Sequence, residues 1–138
     1  MISVRKQKVV KLEDVLHIYQ AVGWTNYTHQ PQMLEKSLSH SLAIYLALDG
    51  DAIVGLVRLV GDGFSSIFVQ DLIVLPSYQR QGIGSCLMKE ALGDYKDTYQ
   101  VQLVTDQTEK TLGFYRSLGF ETLSTYDCTG MIWLDRKR

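Results

Sequence analysis

The 138-residue chain is poor in the features that would tie it to a membrane, a metal or an oxidising compartment. It has two cysteines, Cys86 and Cys128, whose separation matches no metal-ligand spacing; a reducing compartment keeps such residues as thiols, and both read as packing side chains. No apolar run reaches the roughly 18 residues of a membrane span, and Met1-Ile2-Ser3-Val4-Arg5-Lys6 has no apolar core of the signal-peptide kind, so the expectation is a cytoplasmic protein. Charge of one sign is also lacking. Fourteen basic and 15 acidic residues give a net charge of −1, which excludes a general attraction to nucleic acid or to a membrane surface and leaves Arg136-Lys137-Arg138 as a solvated basic end. With only two prolines and no repeat, low-complexity segment or linker, the 46% apolar content predicts one domain spanning residues 1–138.

Periodicity places the elements. Ile2 to Arg5 reads as a first strand, and Leu12, Val15, Leu16 and Tyr19 recur at helical spacing, predicting a helix from Lys11 to Val22 that stops at Gly23. Pro31 suits the first position of a second helix bearing Leu34 and Leu38, which leaves Gly23 to Gln30 as a loop. Leu42 to Leu48 and Ala52 to Val60 form a hairpin about the turn Asp49-Gly50-Asp51, and Gly61-Asp62-Gly63 leads into a third long strand from Ser65 to Leu75. A helix from Ile83 to about Tyr95 buries Leu87, Met88, Ala91 and Leu92. Val101 to Thr105 is then a strand parallel to its predecessor, because a helix separates them. Thr108 to Leu118 is a further helix, and Thr122 to Asp127 with Gly130 to Leu134 closes the chain as a hairpin.

The richest stretch is Val74-Leu75-Pro76-Ser77-Tyr78-Gln79-Arg80-Gln81-Gly82-Ile83-Gly84-Ser85, where an apolar strand meets a basic, glycine-spaced turn that opens a helix. Backbone N–H groups at such a turn can approach a phosphate closely, and the positive end of the helix dipole adds to the attraction. The spacing fits neither a P-loop nor a dinucleotide fingerprint, since Leu87 stands where the third small residue would be.

Gln79-Arg80-Gln81-Gly82-Ile83-Gly84 resembles the (Gln/Arg)-x-x-Gly-x-(Gly/Ala) pyrophosphate-binding motif of the GNAT superfamily of acetyl-CoA-dependent N-acetyltransferases. Gly113-Phe114-Tyr115-Arg116-Ser117-Leu118-Gly119-Phe120 resembles that family's downstream helix with its aromatic pair and Leu-Gly-Phe turn, and Gly55 to Gly63 its upstream hairpin. The resemblance runs from Ile2 to Leu134. It implies an α/β fold with a mixed, mostly antiparallel central sheet flanked by about four helices. It also implies transfer of the acetyl group of acetyl-CoA to a primary amine of a small molecule by direct attack, with no metal. A non-catalytic acyl-CoA-binding sensor and a protein or peptide N-acetyltransferase are the alternatives.

Under the resemblance, Gln79, Arg80, Gln81, Gly82, Ile83, Gly84 and Ser85 cradle the pyrophosphate, and the backbones of Leu72, Ile73 and Val74 pair with the pantetheine amides as with an added strand. Tyr115 falls where the family has its proton donor to the departing thiolate, and a phenol with a reference pKa near 10 is protonated at neutral pH. Two positions depart from the pattern: Thr108 replaces a frequent Asn and Thr111 a frequent Ala. Asp71 is an acid in an apolar strand, which leaves two roles open: a base for the amine, or a structural partner of Arg58 or cap of a bulge. Alternation puts Gln70 and Asp71 on opposite faces unless a bulge intervenes. Trp24 and Tyr27, with His29, make a candidate aromatic wall for the amine; Trp24 equally suits anchoring the loop. His17 and His40 read as solvated. The expected partner is the small-molecule amine, without nucleic acid or membrane; a homodimer is compatible with the sequence and not specified by it.

Overall fold

Strand patterns dictate which faces must be covered. Ala43–Asp49 (β2) is buried at all but its last position and Ala52–Gly61 (β3) is buried from Val54 to Leu59, whereas Ile2–Lys6 (β1) alternates half-buried with exposed residues. Ser66–Val74 (β4) places Ile67, Val69, Asp71 and Ile73 in the interior at period two. With Gln100–Leu103 (β5), these strands form one sheet in the order β1-β2-β3-β4-β5, antiparallel throughout except for the parallel β4–β5 pair. Those elements are seen in a computed structural model that describes residues 1–133. It comprises two compact units, Met1–Leu103 and the segment from Val104 onward.

In the first unit the sheet is covered on both faces. Leu12–Ala21 (α1), Thr25–Thr28 (α2) and Pro31–Ser39 (α3) close one of them: Val15, Ile18, Tyr19, Tyr27, Leu34 and Leu38 pack against Ile44, Leu46, Leu56 and Ile73. Helix Ile83–Asp94 (α4) lies on the other, burying Ile83, Leu87, Met88 and Ala91. There the Tyr45 hydroxyl donates to Asp94 Oδ2 at 2.6 Å. Backbones approach closely at Gly55, where a Cβ would lie 2.9 Å from the Ile73 carbonyl oxygen and 3.4 Å from Leu87 Cδ1. The strands and long helices of this unit fall where periodicity put them. The Gly23–Gln30 loop adds the short helix α2, which seats Tyr27 in the core.

The second unit contains Glu109–Ser117 (α5), capped by Thr108, whose hydroxyl oxygen accepts from Thr111 N–H at 3.3 Å. The expected closing hairpin is not formed among the described residues: Leu123–Tyr126 is a 3-10 turn, residues 127–133 contain no strand, and Leu134 lies outside the described residues. Local hydroxyl chemistry wins over strand propensity there. Thr122 Oγ1 sits 3.2 Å from both Ser124 Oγ and Thr125 Oγ1, and Asp127 adopts φ +58°, conformations that compete with a ladder. The two cysteines also differ from expectation. Both are exposed, Cys86 on the solvent side of α4, so neither serves as core packing.

Candidate active site

A parallel strand pair that separates leaves half a strand unpaired, and β4 is such a strand. Its pairing with β5 runs from Ser66↔Gln100 to Val69↔Leu103 and stops. On its other side the pairing with β3 slips at the same point, from Leu59↔Val69 to Arg58↔Asp71, so Gln70 is the extra residue of a β-bulge. Beyond the bulge, Leu72, Ile73 and Val74 stay paired to β3, and their outer edge has no strand beside it among the described residues. Unpaired N–H and C=O groups on such an edge are a template for an added amide chain. Ile73 is core, while Leu72 and Val74 are half-buried.

At the C-terminal end of β4 the chain turns through Pro76–Tyr78, tied back by Leu75 N–H to the Val54 carbonyl (2.8 Å) and by the Tyr78 hydroxyl to Asp49 Oδ2 (2.6 Å). Gln79 folds back on the strand, its Nε2 donating to the Val74 carbonyl at 3.1 Å. Arg80 follows at φ +66°, a conformation a non-glycine residue adopts only under constraint, and Gly82 caps α4 at φ +79°. The first backbone bond of the helix is from Cys86 N–H to the Gly82 carbonyl (3.0 Å), so the N–H groups of Ile83, Gly84 and Ser85 precede it without an intrahelical acceptor. A Cβ at Gly82 would meet no atom within 4 Å, leaving open space over the turn. Arg80 and Gln81 are exposed beside it. Free N–H groups, a helix dipole, an open glycine and an exposed guanidinium together fit a diphosphate.

The bulge also organises a buried polar cluster. Asp71 accepts three hydrogen bonds: from Arg58 Nε to Oδ2 (2.7 Å), from the Tyr19 hydroxyl to Oδ2 (2.8 Å) and from the Tyr27 hydroxyl to Oδ1 (2.9 Å). Arg58 further donates to Ser41 Oγ (3.2 Å) and to the Tyr27 oxygen (3.2 Å). The side chains of Arg58 and Asp71 are 5% and 1% exposed. Burial opposes the charge of Arg58, and Asp71 more than offsets it, holding the guanidinium above its ordinary pKa. Burial, then the Asp71 charge, raises the phenols of both Tyr19 and Tyr27. Of the two roles open for Asp71, pairing with Arg58 beside a bulge is the arrangement present. Neither carboxylate oxygen is free and neither reaches solvent.

Trp24 is half-buried with its ring centroid 6.2 Å from Tyr19 and 6.3 Å from Tyr27, and Tyr27 is buried with its hydroxyl committed to the cluster. Sequence reading missed Tyr19, taken as an apolar helix position. A tyrosine on the buried face of a helix needs a hydroxyl partner, and that requirement was the available signal.

In the second unit, Tyr115 is half-buried on α5, edge-to-face with Phe114 (5.0 Å) and Phe120 (5.8 Å). Burial, then the Asp106 charge, raises its pKa, so the phenol is protonated at neutral pH. Thr108 and Thr111 both donate to Asp106, at 2.6 and 3.3 Å, occupying the two positions that depart from the family pattern with a helix-start network.

A family model described as an acetyltransferase (GNAT) domain matches residues 40–122. A solved acetyltransferase of the GNAT family from Streptococcus pneumoniae TIGR4 is 76% identical, with a TM-score of 0.92 over 99% of this chain and 100% of that one. Serotonin N-acetyltransferase 2, chloroplastic, of rice is 28% identical over 75% of this chain and 52% of its own length. GCN5-related N-acetyltransferase 1, chloroplastic, of Arabidopsis thaliana is 27% identical over 97% of this chain and 68% of its own. The chain thus spans about half the length of the rice relative.

Proposed function

Because the chain belongs to the GNAT acetyltransferase family, we propose that it transfers the acetyl group of acetyl-CoA to a primary amine of a small molecule. The observation that carries this reading is the pairing of two features on one strand: a free edge at Leu72–Val74 and, where that strand ends, the open N-terminus of α4. Acetyl-CoA is an amide-bearing arm ending in a diphosphate, and those two features suit its two ends. In this reading Ile83, Gly84 and Ser85 N–H groups and Arg80 hold the diphosphate, with Gln79 and Gln81 flanking it, and Leu72, Ile73 and Val74 pair with the arm.

The reaction then follows from direct attack. The neutral amine nitrogen bonds to the thioester carbonyl carbon, the C–S bond breaks, and the sulfur leaves as a thiolate. Tyr115, protonated at neutral pH, is the proposed proton donor to that sulfur. Asp71, sealed by its three donors, holds the bulge, and the amine gives up its proton to water. Trp24 is the proposed aromatic contact for the acceptor, and Tyr27 supports it from within. We propose residues 1–138 as a single domain, and the serotonin in the rice relative's name makes serotonin a first amine to try.

The decisive experiment is thermal melting with acetyl-CoA, CoA, NAD and ATP, followed by turnover with a panel of serotonin, spermidine, kanamycin and a lysine-bearing histone peptide. Binding to the native state alone at a hundredfold excess over Kd stabilises by about 2.7 kcal/mol. A rise in Tm with the two CoA forms and not with NAD or ATP is expected, and Gly84→Glu, which puts bulk and negative charge at the helix start, should erase it. No CoA-dependent rise at millimolar concentration refutes the reading. CoA binding with no turnover on any amine would favour the sensor alternative, and turnover confined to the peptide would favour a protein acetyltransferase.

A further inference from the structure

The hydrogen bonds at the Tyr27 hydroxyl fix the orientation of an exposed amide at the bulge. A tyrosine hydroxyl has one proton to give and two lone pairs to fill. The Tyr27 proton goes to Asp71 Oδ1 at 2.9 Å, since an ionised carboxylate only accepts. Arg58 Nη2, a donor without alternative, fills one lone pair at 3.2 Å. The remaining neighbour is Gln70, 3.3 Å away, and it can only be donating through Nε2. Carboxamide nitrogen and oxygen exchange places by a simple flip, and here the network forbids the flip. Gln70 Oε1 is thereby turned away from Tyr27, and no donor meets it among the described residues.

That oxygen belongs to the bulge residue where β5 departs from β4. The free edge that suits the pantetheine arm begins two residues later at Leu72, and the three residues to Val74 cover roughly 10 Å of strand. With the diphosphate at the start of α4, the acyl end of the arm lies toward the bulge. On the reading of the chain as an amine acetyltransferase, we infer that Gln70 Oε1 receives an N–H of the incoming amine and orients it for attack. Asp71, Tyr27 and Arg58 are positioning residues that act through the Gln70 amide.

A neutral acceptor suits this chemistry better than a carboxylate. The amine must lose a proton before it attacks, and a nearby negative charge would hold it as ammonium, whereas an amide oxygen accepts an N–H from the neutral form with little such bias. Gln70 is exposed, and its replacement removes one bond to the Tyr27 oxygen while Asp71 and Arg58 still hold that hydroxyl, so each variant should keep the fold, which its circular dichroism and Tm check.

The test uses the panel amine with the highest turnover and two variants, Gln70→Leu and Gln70→Glu. Loss of one oriented hydrogen bond should lower kcat/KM for the amine about tenfold or more in Gln70→Leu, with Kd for CoA within about twofold of the parent. Gln70→Glu should displace the pH profile of kcat upward by about one unit, because the new charge favours the ammonium form of the bound amine. Parental kcat/KM in Gln70→Leu, or an unmoved profile in Gln70→Glu, overturns the inference while leaving amine acetylation intact. A parent that turns over no amine removes the proposed function itself, and this inference with it.

Discussion

Replacing Asp71 by Asn separates a structural carboxylate from a catalytic one. The substitution keeps the side-chain shape and removes the charge from a pair whose members are 5% and 1% exposed. Arg58 keeps its own charge, now buried without a counter-ion, and breaking a buried pair in this way costs about 3–5 kcal/mol. The amide oxygen of Asn can still accept from some of the three donors at 2.7, 2.8 and 2.9 Å, which favours the lower end, about 3 kcal/mol. For a chain of this size each kcal/mol moves Tm by roughly 3–5 °C, so the melting point should fall by about 10–15 °C. Urea unfolding followed by circular dichroism gives the free energy directly, since a change in midpoint at constant slope is a change in stability. A companion variant, Arg58→Met and Asp71→Leu with Tyr19→Phe and Tyr27→Phe, removes both charges together with the two hydroxyls they would otherwise strand, and should recover much of the loss, because an apolar replacement of a buried polar cluster is often neutral or better. A loss below about 1 kcal/mol in Asp71→Asn, the level of an exposed ion pair, refutes the argument. Unchanged stability with collapsed turnover would return Asp71 to the role of base.

Tyr115→Phe keeps the ring contacts with Phe114 and Phe120 and removes only the hydroxyl, so kcat should drop on the order of 10² while Kd for CoA holds; parental kcat would leave water as the proton source. The raised phenols of Tyr19 and Tyr27 make a pH prediction. Their protons are bound more tightly in the folded state, so the associated stability is complete below about pH 10, where unfolded tyrosines titrate, and is lost as pH rises toward the folded values. Unfolding free energy should therefore decline above about pH 10, and Tyr19→Phe with Tyr27→Phe should flatten the decline; an unaltered slope in that variant would exclude these two as its source.

Much of this protein is legible without coordinates because its signals are local. The apolar runs of β2 and β3, the helical spacing of Leu12, Val15 and Tyr19, and Pro31 at the head of α3 each depend on neighbours a few positions away, and the elements formed there. The glycine turn is of the same kind: a left-handed Gly82 and three free N–H groups at a helix start follow from the order of residues in one short stretch. Where a local signal was misread, at Thr122–Asp127, hydroxyl side chains bonded to one another and displaced the expected strand.

What sequence alone determined, then, was the strands and long helices of the first unit, the family motif and the glycine turn at the head of α4, all products of short-range conformational preference. Tertiary structure alone decided the fate of Asp71 and Gln70. Tyr19, Tyr27 and Arg58 lie 52, 44 and 13 positions from Asp71, and only a slipped register between β3 and β4, with α1 and α2 folded over it, brings their donors onto one carboxylate. Such a cluster forms because burying a charge is tolerable only when its hydrogen bonds are met, and whether they are met depends on packing that no short window of residues encodes.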